Sequence, residues 1–346
     1  MDRLSALDGV RVIDLSRLLP GPFATLCLQG LGATVIKVED PNGGDYLRAL
    51  EPQVPIRPDS GDGETVNAWF AALNRGKRSV CIDLKSAAGR EALLSLLGNA
   101  DVLLESFRPG VMARLGLDPA SLRVRFPRLI IASLTGWGQT GPMAHLPGHD
   151  LGFLALAGLM YRSPSVPPIQ WGDLAAGGLA AALQIVAALL GRERSTAERP
   201  GTWLDIAMLD NLVGLQQTVF AQLAAGAPPD EVLTGGVPVY GTYKVTDGFV
   251  TVAALEPAFF AAFAARAPGL DSDSIAAWLG GGTRAHWGEQ LAGACVVPVL
   301  TPAEVLEHPQ IVARGLFQDG LPHPPTGPVA GHAPRLGEHT REEIGG

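Results

Sequence analysis

The chain has 346 residues, 47% of them hydrophobic and 17% charged, and its 34 acidic against 26 basic side chains leave a formal net charge of -8 at neutral pH. That describes a globular chain with core material for one large and one small domain, and it lacks the basic excess a nucleic-acid binder needs. Cys27, Cys81 and Cys295 lie far apart, with neither CxxC nor Cys/His metal spacing, so they read as small core residues of a reducing compartment.

The opening Met1-Asp2-Arg3-Leu4-Ser5 has no basic stretch ahead of an apolar one, which argues against a secretory signal and makes the cytoplasm the default. Val10 to Leu15 reads as a buried strand, Phe23 to Leu31 as an apolar helix after Leu19-Pro20-Gly21-Pro22, and Ala33 to Glu39 as the next strand. Such a βαβ unit predicts a parallel sheet whose ligand binds beyond the strand ends. Its turn carries Pro-Gly-Pro in place of GxGxxG, so neither NAD nor FAD is inferred. Pro41 to Glu64, rich in Gly, Pro and Asp, reads as a loop. Arg75, Lys77 and Arg78 then precede the strand Val80 to Leu84. These cations are either a solvated turn or a phosphate site. Ser86 to Leu97 is a helix and Asp101 to Glu105 a strand, after which Phe107-Arg108-Pro109-Gly110 opens a short helix reaching Arg114. Leu129 to Leu134 is a strand running into Thr135-Gly136-Trp137-Gly138-Gln139-Thr140-Gly141-Pro142, whose glycines let the backbone lie against a ligand.

Gly148-His149-Asp150 and Trp171-Gly172-Asp173 stand at the mouths of two helix-like segments, Leu151 to Met160 and the Ala/Gly-rich Leu174 to Leu190. A turn-rich linker, Ser163 to Pro168, joins them. The second run is short and rich in small residues, and reads as a buried helix rather than a membrane span. Asp173 alone reads as an N-cap, and His149 alone could satisfy a core carbonyl. Together they place a base and an acid beside a partly positive helix end, the minimum for taking a proton next to a carbonyl whose oxygen becomes negative. The amides following Asp173 are the expected donors to that oxygen. Further on, Thr246-Asp247-Gly248 turns a hairpin into the strand Phe249 to Ala254, and Glu256 before Pro257 reads on its own as an exposed loop charge. The Pro-rich stretch around His323-Pro324-Pro325 reads as a surface crossing.

Taken in order, Gly9 to Asp14, Leu31 to Glu39, Asn74 to Ser79, Phe107 to Gly110 and Thr135 to Pro142 resemble the family III CoA-transferases. That family includes formyl-CoA transferase, carnitine CoA-transferases and α-methylacyl-CoA racemase. The resemblance runs from about Leu7 to Val305, with a weaker tail at Gly337-Glu338-His339-Thr340. It implies an α/β fold: a Rossmann-like large domain with a parallel sheet, a smaller inserted α/β domain, and an interlocked homodimer. The large domain would span 1–205, the small one 206–300, and 301–346 would return to the large one. An acyl-CoA substrate is implied, with coenzyme A as part of the substrate rather than a prosthetic group, no metal, and no nucleic-acid or membrane partner. The residues implied in CoA binding are Leu18, Arg75, Lys77, Arg78, Arg108, Arg114, Gly136, Gly148, Asp150 and Phe153. Asp40 is a departure, since many relatives carry there an arginine that helps hold the nucleotide.

Transferases of this family use the carboxylate matching Asp173 as a nucleophile. The racemases resemble Gly148-His149-Asp150, with the following Leu151 to Gly158 in register. They pair that histidine with the aspartate of the next helix and with a small-domain glutamate matching Glu256. Cys295 to Leu300 also resembles a racemase segment. Pro41 to Glu64 is closer to the longer transferase loop, and Glu256 to Cys295 is shorter than usual. The expected activity is epimerisation of the α-carbon of a 2-methylacyl-CoA by His149, Asp173 and Glu256. The alternative is CoA transfer between carboxylic acids through Asp173, and a third reading is a paralogue that only binds CoA.

Overall fold

Apolar residues alternate between the two faces of the central strands, and that alternation lays down two cores. Val12, Val35, Val102, Leu104, Ile130 and Ala132 enter one core, while their neighbours Ile13, Ile36, Leu103 and Ile131 enter the other. Strands buried on both faces read as continuous apolar runs, as these do. The protein is described from a computed structural model covering residues 4–57, 63–161, 164–194, 200–227 and 232–345. Met1 to Arg3, residues 58–62 of the expected loop and Ser163 of the expected linker lie outside them.

The strands β1 (Arg11–Asp14), β2 (Thr34–Glu39), β5 (Arg78–Cys81), β6 (Val102–Glu105), β7 (Ile130–Thr135) and β8 (Trp203–Ala207) form one sheet in the order β5-β2-β1-β6-β7-β8. Every pairing in it is parallel. The stretch expected as loop holds a 3-10 turn, Tyr46–Ala49, and a short antiparallel hairpin of β3 (Gln53–Pro55) and β4 (Thr65–Asn67). Asp45 caps that 3-10 turn through the Leu47 amide, a local device that composition alone did not reveal. Helix α1 (Pro20–Gly30) starts earlier than expected, because Pro20 fits the first helical position. It is followed by α2 (Ala68–Asn74), α3 (Ala87–Leu97), α4 (Val111–Arg114), α5 (Pro119–Arg125) and α6 (Asp150–Leu156). A wide π-helical segment, Trp171–Leu179, leads into α7 (Ala180–Glu193) and α8 (Met208–Gly214) follows β8.

By length and composition Trp171–Glu193 could cross a membrane, and only 39% of its most apolar window is buried. The expected fully buried helix is therefore half-buried. Ala181, Ala182, Ile185 and Leu189 face the core, whereas Leu179, Leu183 and Leu190 are exposed. A helix beside a sheet hides one stripe, not its whole circumference.

The chain divides into two units, Met1–Leu215 with Leu321–Gly346, and Gln216–Gly320. The divisions expected after 205 and 300 thus fall later, since α8 packs with α6 and the π segment inside the first unit. The second unit holds α9 (Gln217–Ala224) and an antiparallel sheet β11-β10-β9 from β9 (Tyr240–Val245), β10 (Gly248–Ala253) and β11 (Val296–Pro298). Around it lie α10 (Pro257–Ala264), α11 (Ser272–Leu279), α12 (Arg284–Gln290), α13 (Pro302–Glu307) and α14 (Pro309–Ala313). Its core gathers Val250, Val252, Phe263, Ile275 and Trp287, with the Trp287 indole donating to Leu279 O at 2.6 Å. The final α15 (Thr340–Ile344) and the turn before it cover the β5 edge: His339 N donates to Ser79 O and Cys81 N to the Thr340 hydroxyl. The Pro-rich stretch is anchored rather than free, for Pro324 is buried and Thr326 donates to Cys27 O at 2.7 Å.

Candidate active site

The strand order reverses at β1, with β2 on one side and β6 on the other. Connections from two such neighbours leave toward opposite faces, and a crevice opens beyond their carboxyl ends. A cavity of about 530 Å³ lies there, walled by Leu15, Arg17, Leu18 and Pro20 after β1, Ser106 to Pro109 and Val111 after β6, and Leu134 to Trp137 from the end of β7. Tyr46, Gly148, His149, Phe153 and Asp173 complete the wall. A smaller one of about 150 Å³ shares Leu15, Arg17, Phe107 and Val111 with it and adds Asp40, Asp83 and Lys85.

His149 reaches the cavity as the residue before α6, in extended conformation, and its imidazole makes no capping bond. Asp173 lies inside the first turn of the π segment, so it is not the cap expected; Gln170 holds that place. Its backbone amide donates to Asp150 Oδ1 at 2.9 Å, and the Leu174 amide to Gln170 O at 2.8 Å. These amides are occupied, which removes them as the expected oxyanion donors. Asp150 is correspondingly a strut between the two helix starts rather than a ligand contact. Gly172 leaves room for it, because a Cβ there would sit 2.8 Å from Asp150 Oδ1. Burial, aided by the nearby Asp150 charge, pushes the Asp173 carboxyl up to about 7. A carboxyl so poised can give or take a proton near neutrality. Glu105, behind the wall at the end of β6, is likewise pushed up to about 7 by burial, and accepts from Phe107 N at 2.8 Å.

Phe153 fixes one wall. Its ring stands edge-on to Trp137 at 4.7 Å, and it fills the space a side chain would need at Gly136 or Gly148, where a Cβ would meet it at 2.2 and 2.5 Å. These glycines shape the cavity by admitting an aromatic. The Trp137 Nε1 is buried and without a hydrogen-bond partner, alone in this among the described side chains of the wall.

The residues implied in CoA binding separate by where the structure places them. Leu18, Arg108, Gly136, Gly148 and Phe153 do line the cavity. Arg108 is exposed there and makes no side-chain bond among the described residues. Arg114, at the end of α4, is exposed but does not line the cavity. Arg75, Lys77 and Arg78 serve the fold instead. Arg75 is buried and donates to Ala72 O, Pro322 O and Val329 O, clamping the returning chain. Lys77 is enclosed, its ammonium donating to Pro22 O, Thr25 and Asn74 at 2.7–3.0 Å. Arg78 pairs with Glu342 and Glu343 of α15. Spacing in the sequence marks a cation cluster but not which way each side chain turns. The cations missed were Arg17 and Lys85, both exposed at the smaller cavity and free of side-chain bonds among the described residues. Arg17's place just after β1, beside the switch point, was the available signal. Asp40 is tied up locally, accepting from Asn42 N at 2.8 Å, and that bond foremost holds its carboxyl below the usual range. Glu256 belongs to the second unit, exposed at the start of α10, with no capping bond.

A family model described as CoA-transferase family III matches residues 7–343. The chain is 35% identical to the α-methylacyl-CoA racemase of Homo sapiens, over 97% of this chain and 92% of that one. It is 39% identical to a succinate–glutarate CoA-transferase of Agrobacterium fabrum, over 73% of this chain and 64% of the other. Among solved structures, a CAIB/BAIF family protein from Brucella suis matches with a TM-score of 0.82 and 30% identity, over 98% of both chains.

Proposed function

The chain belongs to CoA-transferase family III, and from that premise we propose that it epimerises the α-carbon of a 2-methylacyl-CoA thioester. The observation that carries this reading is that His149 and Asp173, a carboxyl pushed up to about 7, line the same cavity at the switch point. The α-hydrogen of a thioester is weakly acidic, and its loss gives an enolate. Neutral His149 takes the proton while the electron pair moves onto the carbonyl oxygen. Protonated Asp173 then delivers a proton to the same carbon from the opposite face, and the thioester carbonyl re-forms. The enzyme is left with imidazolium and carboxylate, the starting state for the reverse direction. Glu256 is the third catalytic residue that the resemblance implies. Coenzyme A enters as part of the substrate, its phosphates met by Arg17, Lys85 and Arg108. The exposed apolar stripe of α7 supports a homodimer.

The transferase reading also has support, since relatives of both kinds match this chain. In it an ionised Asp173 attacks the thioester carbon and releases the CoA thiolate, leaving a mixed anhydride. Burial that pushes Asp173 up to about 7 leaves it partly protonated near neutrality, which suits a proton donor better than a nucleophile. The deciding experiment is deuterium wash-in at the α-carbon of 2-methylpropanoyl or longer 2-methylacyl-CoA in D2O, with no acceptor acid present. Exchange under those conditions supports the epimerase. Absent exchange, with hydroxylamine trapping at Asp173, supports the transferase instead.

A further inference from the structure

Behind the β1 end of the cleft lies a set of buried charges that touches no ligand in the mechanism above. Asp14, Lys37 and Asp45 are each 0 or 1% exposed. Lys37, in the middle of β2, reaches across the sheet to donate to Ser16 O at 2.8 Å and pairs with Asp45 at 3.2 Å. Asp45 in turn accepts the Leu18 amide at 3.1 Å and the Leu47 amide at 3.1 Å. Asp14 accepts the Ser16 amide at 2.8 Å and the hydroxyls of Ser16 and Thr25. The bonds to Ser16 and Leu18 converge on the turn between β1 and α1. Gly21 lets the turn press close, for a Cβ there would overlap the Ser16 side chain at 2.1 Å.

That turn is held in a conformation its sequence disfavours. Leu18 has φ +61°, a left-handed backbone that a branched aliphatic residue seldom adopts. Strain of this kind persists only when the surroundings over-determine it, and it collects at functional sites. Leu18 and Tyr46, the residues on either side of the Asp45 clamp, both line the larger cavity.

We propose that the Lys37–Asp45 pair is a positioning device: by fixing the Ser16 carbonyl and the Leu18 amide together it holds the strained turn as a preformed wall, and so sets the cleft's affinity for its CoA ligand. This rests on the acyl-CoA reading for the identity of the ligand. Neither residue touches the reacting carbon, so the effect falls on binding rather than on the proton-transfer step.

The test is a double-mutant cycle read by calorimetric binding of coenzyme A itself. Asp45→Asn keeps the shape and one acceptor oxygen but removes the ion pair, and is expected to weaken CoA by about tenfold. Its kcat at saturating acyl-CoA is expected within about twofold of the parent, with KM raised. Leu18→Gly, which removes the cost of positive φ, is expected to restore most of the loss in the Asp45→Asn background. Because glycine at a positive φ also stabilises the fold as a whole, the melting temperature of each variant is read beside the affinity, and a CoA loss in Asp45→Asn that persists well below its melting temperature is the expected result. Unchanged CoA affinity in Asp45→Asn, or a loss that Leu18→Gly leaves in full, overturns the proposal. Amide hydrogen exchange on the unliganded wild type decides the matter without any variant or ligand. Slow exchange at Leu18 before CoA is added supports a preformed wall, and unprotected exchange there overturns it. Failure of the wild type to bind CoA would count against the acyl-CoA reading, while the exchange experiment would still judge the clamp.

Discussion

Two groups of cations lie within the first unit, and they differ in what faces them. Lys37, Arg75 and Lys77 are buried, and each meets carbonyls, hydroxyls or carboxylates of its own chain. Arg17, Lys85 and Arg108 are exposed on the cavity walls with side chains that the described residues leave unbonded. A buried ammonium must be matched by protein, because desolvation without partners costs too much. A cation meant for a ligand's phosphates has to stay in water until the ligand arrives. The cluster most conspicuous in the sequence therefore builds the fold, and scattered single cations are left to serve the site.

Lys77→Met should break this contrast most visibly, by leaving Asp14 with one fewer partner in the core. Burial would by itself raise the Asp14 carboxyl, yet Lys37, Lys77 and the Ser16 and Thr25 hydroxyls together hold it below the usual range. Denaturant unfolding should show a loss of roughly 3–5 kcal/mol, the cost of stranding one half of a buried pair. Arg108→Ala and Arg17→Ala should do the reverse. Each is expected to weaken coenzyme A by about tenfold or more, in a salt-dependent way, with melting temperature almost unmoved.

Asp173→Asn sharpens the comparison from the catalytic side, because this group is held against its own preference. Burial and the nearby Asp150 charge push it up to about 7, far above the ordinary aspartate range. The protonated group's contribution to stability is whole below about pH 4 and is lost as pH rises through 7. The variant should abolish α-proton exchange from the enantiomer whose proton Asp173 removes, while exchange through His149 persists from the other. Its melting temperature should exceed the wild type's at pH 8 by several degrees, equivalent to about 1–3 kcal/mol, and by much less at pH 5. Equal differences at both pH values would argue that the carboxyl is not perturbed. The smallest effect is expected for Arg78→Ala, whose pairs with α15 are partly exposed. It should cost less than about 1 kcal/mol in unfolding experiments and leave CoA affinity as it was.

The sheet was legible because its strands are buried on both faces and their apolar runs admit few other readings. Val12 and Ile13, adjacent in the chain, enter opposite cores as a two-residue period demands. His149 and Asp173, which line one cavity, stood out in the sequence through their positions at the starts of two helical runs. The role of Asp150 was not, since a carboxylate that caps its own helix and one that reaches 23 residues along the chain look alike in sequence. The same holds for Asp45, whose bond to the Leu18 amide spans 27 residues. Local propensity does not encode such long-range polar ties. Half-burial of α7 was also hidden, because an Ala/Leu-rich helix carries little polar contrast to mark its outer face.

The central claim is that His149 and Asp173 work on opposite faces of one carbon. It is tested most directly by following deuterium incorporation into the separate R and S enantiomers of a 2-methylacyl-CoA with His149→Ala. The account predicts that exchange is lost from the one enantiomer whose α-proton the imidazole removes, while slower exchange through Asp173 persists from the other. Near-normal exchange from both enantiomers in that variant would contradict it.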